Sequence, residues 1–120
     1  MSDTFGITPR SFRLILDAFD ARPEILEARI FGSRALGSQK SGSDIDIALF
    51  GPEVGEATAR KLSETLNEET PIPYHVDVVP FEECGNAELK RHISDFGIVF
   101  WRRGGRGPIK EPLAIEKGTP

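Results

Sequence analysis

Residues 43–50 read Ser-Asp-Ile-Asp-Ile-Ala-Leu-Phe. The segment has the composition and the two-residue alternation of a β-strand, so Ile45 and Ile47 share one face and Asp44 and Asp46 share the other. Aspartate is disfavoured in strands. Two of them on one face restrict the fold to a sheet whose opposite face is anchored in a core. For an isolated Asp-x-Asp, the simpler reading is a solvent-facing row on a half-exposed strand.

The pattern recurs once. In His-Val-Asp-Val-Val, residues 75–79, Val76 and Val78 point inward and Asp77 points the opposite way. If the two strands are neighbours, three carboxylates converge on one patch of sheet. Ionised carboxylates a few ångströms apart repel, strongly so beside a low-dielectric core. A cation relieves that repulsion. Oxygen-only ligands favour a hard ion, Mg²⁺ or Mn²⁺. No His or Cys pair stands at a spacing that suggests zinc, and His75 and His92 are isolated. Two hard ions bridged by carboxylates are a common device for in-line displacement at phosphorus.

Upstream lies Gly32-Ser33, with ten residues between this pair and Asp44. Backbone N–H groups at the start of a helical turn favour an anion. Glycine lets a phosphate approach the backbone closely, and Ser33 adds a hydroxyl donor. Alone, such a corner is a common β–α connection. Its interest lies in its place, one strand before the aspartates.

The remaining segments supply the frame. Thr8 and Pro9 suit the cap and first position of a helix. Phe12, Ile15, Leu16 and Phe19 form its apolar stripe, and Pro23 ends it. Ile25–Phe31 reads as a strand with Leu26, Ala28 and Ile30 inward. Ser33–Leu36 suggests one helical turn, followed by a flexible Gly/Ser connection. A long helix within residues 53–69 carries Ala59, Leu62 and Leu66 on one side. A third strand ends at Pro80. A further helix is capped by Asn86, with Leu89 and Ile93 inward, and residues 96–102 form a last apolar segment. The order predicts an α/β (α+β) fold: a small, mostly antiparallel or mixed β-sheet with helices packed against it. Residues 1–103 are expected to form one domain and residues 104–120 a flexible tail rich in Gly, Pro and charge. Trp101 and Tyr74 are expected to pack, Cys84 to be a small buried side chain, and Arg102 and Arg103 to be solvated.

The string GSRALGSQKSGSDIDIAL resembles the nucleotidyltransferase signature of the DNA polymerase β-like superfamily: Gly-Ser, a short interval, Asp-x-Asp, then a third carboxylate on a later strand. The ten-residue gap, the small chain and the ending LKRHISDFGIVFWR are most similar to the minimal nucleotidyltransferase (MNT) domains. The resemblance implies that Gly32 and Ser33, with Arg34 beside them, bind the nucleotide triphosphate. It implies that Asp44, Asp46 and Asp77 bind two Mg²⁺ ions (or Mn²⁺) and form the catalytic centre, with Asp77 helping to deprotonate the attacking hydroxyl. ATP is then the substrate, and AMP passes to an acceptor. Many MNT proteins are antitoxins that modify a HEPN-domain RNase toxin. Relatives often carry arginine where this chain has Leu36, and Arg34 or Lys40 is a candidate replacement.

Charge and size bear on the acceptor. The net charge is −4, but residues 102–120 carry five basic and two acidic side chains, leaving −7 on residues 1–101. So acidic a body argues against direct nucleic-acid binding. About 100 folded residues leave little surface for a small acceptor, which favours a protein partner. A binding-only antitoxin, and a transferase acting on an aminoglycoside or on RNA ends, are the alternatives. No apolar run approaches the roughly 18 residues of a membrane helix, and the N-terminus lacks the pattern of a secretory signal. A single cysteine suits a reducing cytoplasm, the expected location.

Overall fold

The computed structural model describes residues 5–40 and 42–104. The chain forms α1 (Pro9–Asp20), β1 (Glu27–Phe31), α2 (Ser33–Leu36), β2 (Ile45–Phe50), α3 (Glu56–Glu68), β3 (Val76–Pro80), α4 (Ala87–Phe96) and β4 (Ile98–Arg102). One four-stranded sheet has the order β3-β2-β1-β4. β1 pairs antiparallel with both β2 and β4, whereas β2 and β3 are parallel. The parallel pair needs a crossover, and α3 supplies it. The expected mixed sheet with packed helices is the fold observed.

Local signals set the helix ends. Thr8 caps α1 by accepting the Ser11 N–H at 3.4 Å, with Pro9 just inside. Asn86 caps α4 through the Leu89 N–H at 3.0 Å. α3 opens later than the sequence suggests, at Glu56, after Gly55, and the Glu56 N–H donates to the Glu83 carboxylate at 3.2 Å. Acidic charge at a helix N-terminus opposes the helix dipole favourably.

The sheet separates two apolar clusters. On one face, Ala28, Ile30, Ile45, Ile47, Leu49 and Val76 meet α1 and α3 through Phe12, Ile15, Phe19, Leu62 and Leu66. On the other, Phe31 and Ala48 meet Ile93 of α4, with Leu89, Phe50, Val79 and Phe81 around them. β1 departs from its expected pattern at one end. Ile25 is fully buried and Leu26 is exposed, although the Leu26 N–H donates to the Phe50 carbonyl and its carbonyl accepts the Arg103 N–H, both at 2.9 Å. In β4, Ala28 pairs with Trp101 but Arg29 pairs with Val99, so Phe100 is the extra residue of a bulge. Phe100 and the adjacent Trp101 are therefore both buried, which strict alternation forbids. The Phe100 ring meets Phe5, Phe12 and Phe19 at centroid distances of 6.2, 5.8 and 5.7 Å.

Arg103 is not solvated. Its guanidinium donates to the carbonyls of Ile25, Phe19 and Arg22 at 2.9, 2.8 and 3.0 Å and lies over the Trp101 ring. The Phe19 and Arg22 carbonyls also accept the Arg22 and Ile25 N–H groups, both at 3.0 Å, so Arg103 reinforces the turn that leads from α1 to β1. Arg102 is exposed and reaches Glu27 at 3.3 Å. Cys84 is only half-buried. The expected tail lies outside the described residues from residue 105 onward. Among the described residues, no helix is long and apolar enough to cross a membrane.

Phe100→Ala empties the meeting point of three rings. We expect it to lower the unfolding free energy by about 3–5 kcal/mol, read as a drop in the urea midpoint. The equivalent change at exposed Leu26 is expected to fall within about 0.5 kcal/mol of the unaltered protein.

Candidate active site

The two-residue period of β2 carries its inward isoleucines into the larger core and turns Asp44 and Asp46 to the α4 side. Asp44 precedes Ile45, the first strand residue, and is exposed; Asp46 is half-buried. In the register, Asp46 stands opposite Phe31 on one side and Asp77 on the other. The expected neighbourhood of β2 and β3 therefore holds, and it places Asp77 directly beside Asp46. α4 covers this face at Phe31, directly opposite Asp46, and at Ala48, while Asp44 and Asp77 remain exposed.

Gly32 follows β1 with φ +78° and ψ −153°, a conformation essentially reserved for glycine. A Cβ at this position would collide with Asp46 Oδ2. The glycine thus serves two needs, the backbone angle and the close approach of the carboxylate. Ser33 opens α2, and the Gly32 carbonyl accepts the N–H groups of Ala35 and Leu36, both at 3.1 Å.

The electrostatics are those of crowded acid. The Asp46 carboxyl is held above the usual carboxylate range, first by burial, then by the negative charges of Asp77 and Asp44. His75 and His92 pull the other way. The His75 Nε2 lies 3.0 Å from Asp77 Oδ1, with both side chains more than half exposed. His92 has its ring edge-on to Phe31 at 6.1 Å. It precedes inward-facing Ile93, and that adjacency is the only sequence signal that could have placed it near Asp46.

Arg34 occupies an unexpected position. It is 4% exposed, although it follows the Gly-Ser pair. Nη2 and Nε donate to the Ser43 carbonyl at 2.7 and 3.2 Å, Nε also to the Asp44 carbonyl at 3.3 Å, and Nη1 to the Phe5 carbonyl at 2.8 Å. The guanidinium lies over the Tyr74 ring, 4.8 Å from its centroid. Leu36 is 54% exposed.

Among the described residues, no group of three or more His, Cys, Asp or Glu side chains is drawn together closely enough to hold a metal ion as it stands. The donor chemistry nevertheless fits a hard divalent cation. Asp44, Asp46 and Asp77 offer oxygen only, and a cation would favour the charged form of Asp46, which burial first and then the charges of Asp77 and Asp44 disfavour.

A mixed sheet with a Gly-Ser corner facing strand-borne aspartates defines a nucleotidyltransferase-type fold. The chain matches the nucleotidyltransferase domain family over residues 12–99 and belongs to it. Among solved structures, it is similar to a toxin–antitoxin complex with AMP-PNP (TM-score 0.61, 23% identity, 89% of this chain and 81% of the other). It is also similar to the toxin–antitoxin MntA-HepT (TM-score 0.59, 20% identity, 91% and 82%). A third is the complex of a tri-AMPylated Shewanella oneidensis HEPN toxin with an MNT antitoxin (TM-score 0.55, 20% identity, 78% and 68%). At these identities the likeness is one of fold. No curated protein matches the sequence significantly.

Two stability effects follow. A raised folded-state pKa means that the folded protein keeps a proton that the unfolded chain has released. The Asp46 contribution therefore falls as pH climbs from the ordinary carboxylate value through the raised one, and the penalty persists above it. In chelator-treated protein at neutral pH, Asp46→Asn is expected to raise the urea midpoint, and this gain should shrink at acid pH. Gly32→Ala is expected to lower the unfolding free energy by about 1–3 kcal/mol through backbone strain, with a further loss from displacing Asp46.

Proposed function

We propose that this chain is a metal-dependent nucleotidyltransferase that transfers NMP, AMP from ATP, to a hydroxyl of a protein partner, and that the partner is a HEPN-type toxin. The observation that carries the reading is the register pairing of Asp46 with Asp77 beside Gly32. It brings carboxylates to the corner where a phosphate can meet backbone N–H groups. Similarity to antitoxin complexes, one with AMP-PNP and one with an AMPylated toxin, supports the choice of nucleotide and partner.

In this reading Asp44, Asp46 and Asp77 hold Mg²⁺. The bound ion would supply charge neutralisation at the phosphates. Gly32 and Ser33 receive the triphosphate: the glycine leaves room for close approach, and the Ser33 hydroxyl is a donor. The acceptor oxygen bonds to the α-phosphorus as the bond to pyrophosphate breaks, and the hydroxyl proton passes to the Asp77 carboxylate. His75, 3.0 Å from that carboxylate, holds it in orientation.

A second reading is an antitoxin that acts by binding alone. Leu36, which is 54% exposed and offers a phosphate no donor where relatives often carry arginine, favours it. One experiment separates the two. The protein is incubated with α-labelled ATP, Mg²⁺ and the protein encoded by its neighbouring gene. Label is expected on the partner, and Asp44→Ala/Asp46→Ala is expected to cut transfer at least about a hundredfold, as loss of several kcal/mol of charge stabilisation would. Full silencing of the partner by the unlabelled double variant would establish the binding reading instead.

A further inference from the structure

An arginine beside a Gly-Ser phosphate corner invites a role in holding phosphate, but the position of Arg34 serves a different purpose. The side chain is buried, and its donors face inward onto three backbone carbonyls. Two of those carbonyls belong to Ser43 and Asp44, the residues that lead into β2. The third belongs to Phe5, before α1. Tyr74, just before β3, closes over the guanidinium. One side chain thus joins the segments entering α1, β2 and β3.

Among the described residues, the segment it grips is also tied to the body of the protein by the Ile45 N–H, which donates to the His75 carbonyl at 2.8 Å. Asp44 lies outside the strand ladder, which begins at Ile45. The turn before it is closed by Ser43 N–H to Lys40 O at 2.9 Å and by Lys40 N–H to Ser43 Oγ at 2.8 Å, with Gly42 at φ +85°. Those bonds fix the turn internally but do not attach it to the body of the protein. Arg34 provides that attachment, at the carbonyl of Ser43 and the carbonyl of Asp44 itself. A guanidinium is suited to this task because its planar fork presents several N–H groups at fixed angles. An ammonium cannot span three carbonyls in that plane. The close approach of the N-terminal segment shows the same fit: a Cβ on Gly6, at φ +77°, would stand 3.0 Å from Arg34 Nη1.

We infer that Arg34 is a positioning residue for Asp44: it holds the peptide carbonyls on both sides of the Asp44 Cα, and so sets where the Asp44 carboxylate is presented. The inference rests on the proposed metal-binding role of Asp44. It assigns Arg34 no contact with the nucleotide.

The test uses the full chain without nucleotide and reads Mn²⁺ affinity by electron paramagnetic resonance, with folding checked by circular dichroism. Arg34→Lys and Arg34→Met are both expected to weaken Mn²⁺ binding about tenfold or more, as loss of a residue orienting a ligand does. Tyr74→Leu removes only the ring over the guanidinium. It is expected to shift affinity in the same direction by a smaller factor, and it decides the matter if the arginine variants do not fold. Unchanged Mn²⁺ affinity in folded Arg34 variants, with a raised KM for ATP that Lys restores, would show a phosphate ligand and overturn the inference. Failure of the unaltered protein to bind Mn²⁺ would overturn the metal-binding reading and this inference with it.

Discussion

The approach of Asp46 to Gly32 is the constraint on which the rest of the site depends. A half-buried carboxylate sits where a side chain on the neighbouring strand end would stand, and Asp77 flanks it in register. Only a residue without a Cβ can follow Phe31 there. The same glycine turns the chain from β1 into α2. Backbone geometry, strand register and carboxylate position are therefore one condition. The raised Asp46 carboxyl is its electrostatic consequence.

The sheet meets that condition by using its two faces differently. Toward α1 and α3, alternate positions of β1, β2 and β3 make a continuous apolar layer. Toward α4, β2 and β3 change character along their length. β2 runs from Asp46 to Ala48 to Phe50, and β3 from Asp77 to Val79 to Phe81, just past its end. The apolar half is covered by α4 through Ile93, and beyond it Phe50 stacks on Phe81 at 4.5 Å with Arg29 over Phe50. In the acidic half, Asp44 and Asp77 remain exposed. Burial of Ile45 and Ile47 stabilises the strand enough to carry aspartates where their propensity alone would oppose it.

Much of this was legible in the sequence because it is local or periodic. Thr8, Pro9 and Asn86 announce helix starts through capping chemistry, and Asp44, Asp46 and Asp77 sort to one face by the two-residue period. Periodicity fails where pairing, not sequence, decides. Leu26 reads as inward but is exposed, and the bulge at Phe100 buries two successive aromatic residues. Nothing in the spacing reveals that Asn67 brackets Val76, taking its N–H at 2.8 Å and donating to its carbonyl at 2.9 Å. Side chains that pair with a distant backbone carry no local signature.

The two buried-facing arginines make that limit plain. Arg34 and Arg103 occur in polar surroundings of sequence, and both read as solvent or phosphate contacts. Each instead binds three carbonyls, those of Ser43, Asp44 and Phe5 for Arg34 and those of Phe19, Arg22 and Ile25 for Arg103, and lies against an aromatic ring. In a domain this small, a carbonyl shielded from water without a partner is a serious penalty against a total stability of about 5–15 kcal/mol. A guanidinium satisfies several at once and remains charged while doing so. Arg103 does this where α1 meets β1, and Arg34 where the chain enters β2. The frame and the candidate site are thus held by the same device, and the arginine next to the Gly32-Ser33 corner belongs to the frame.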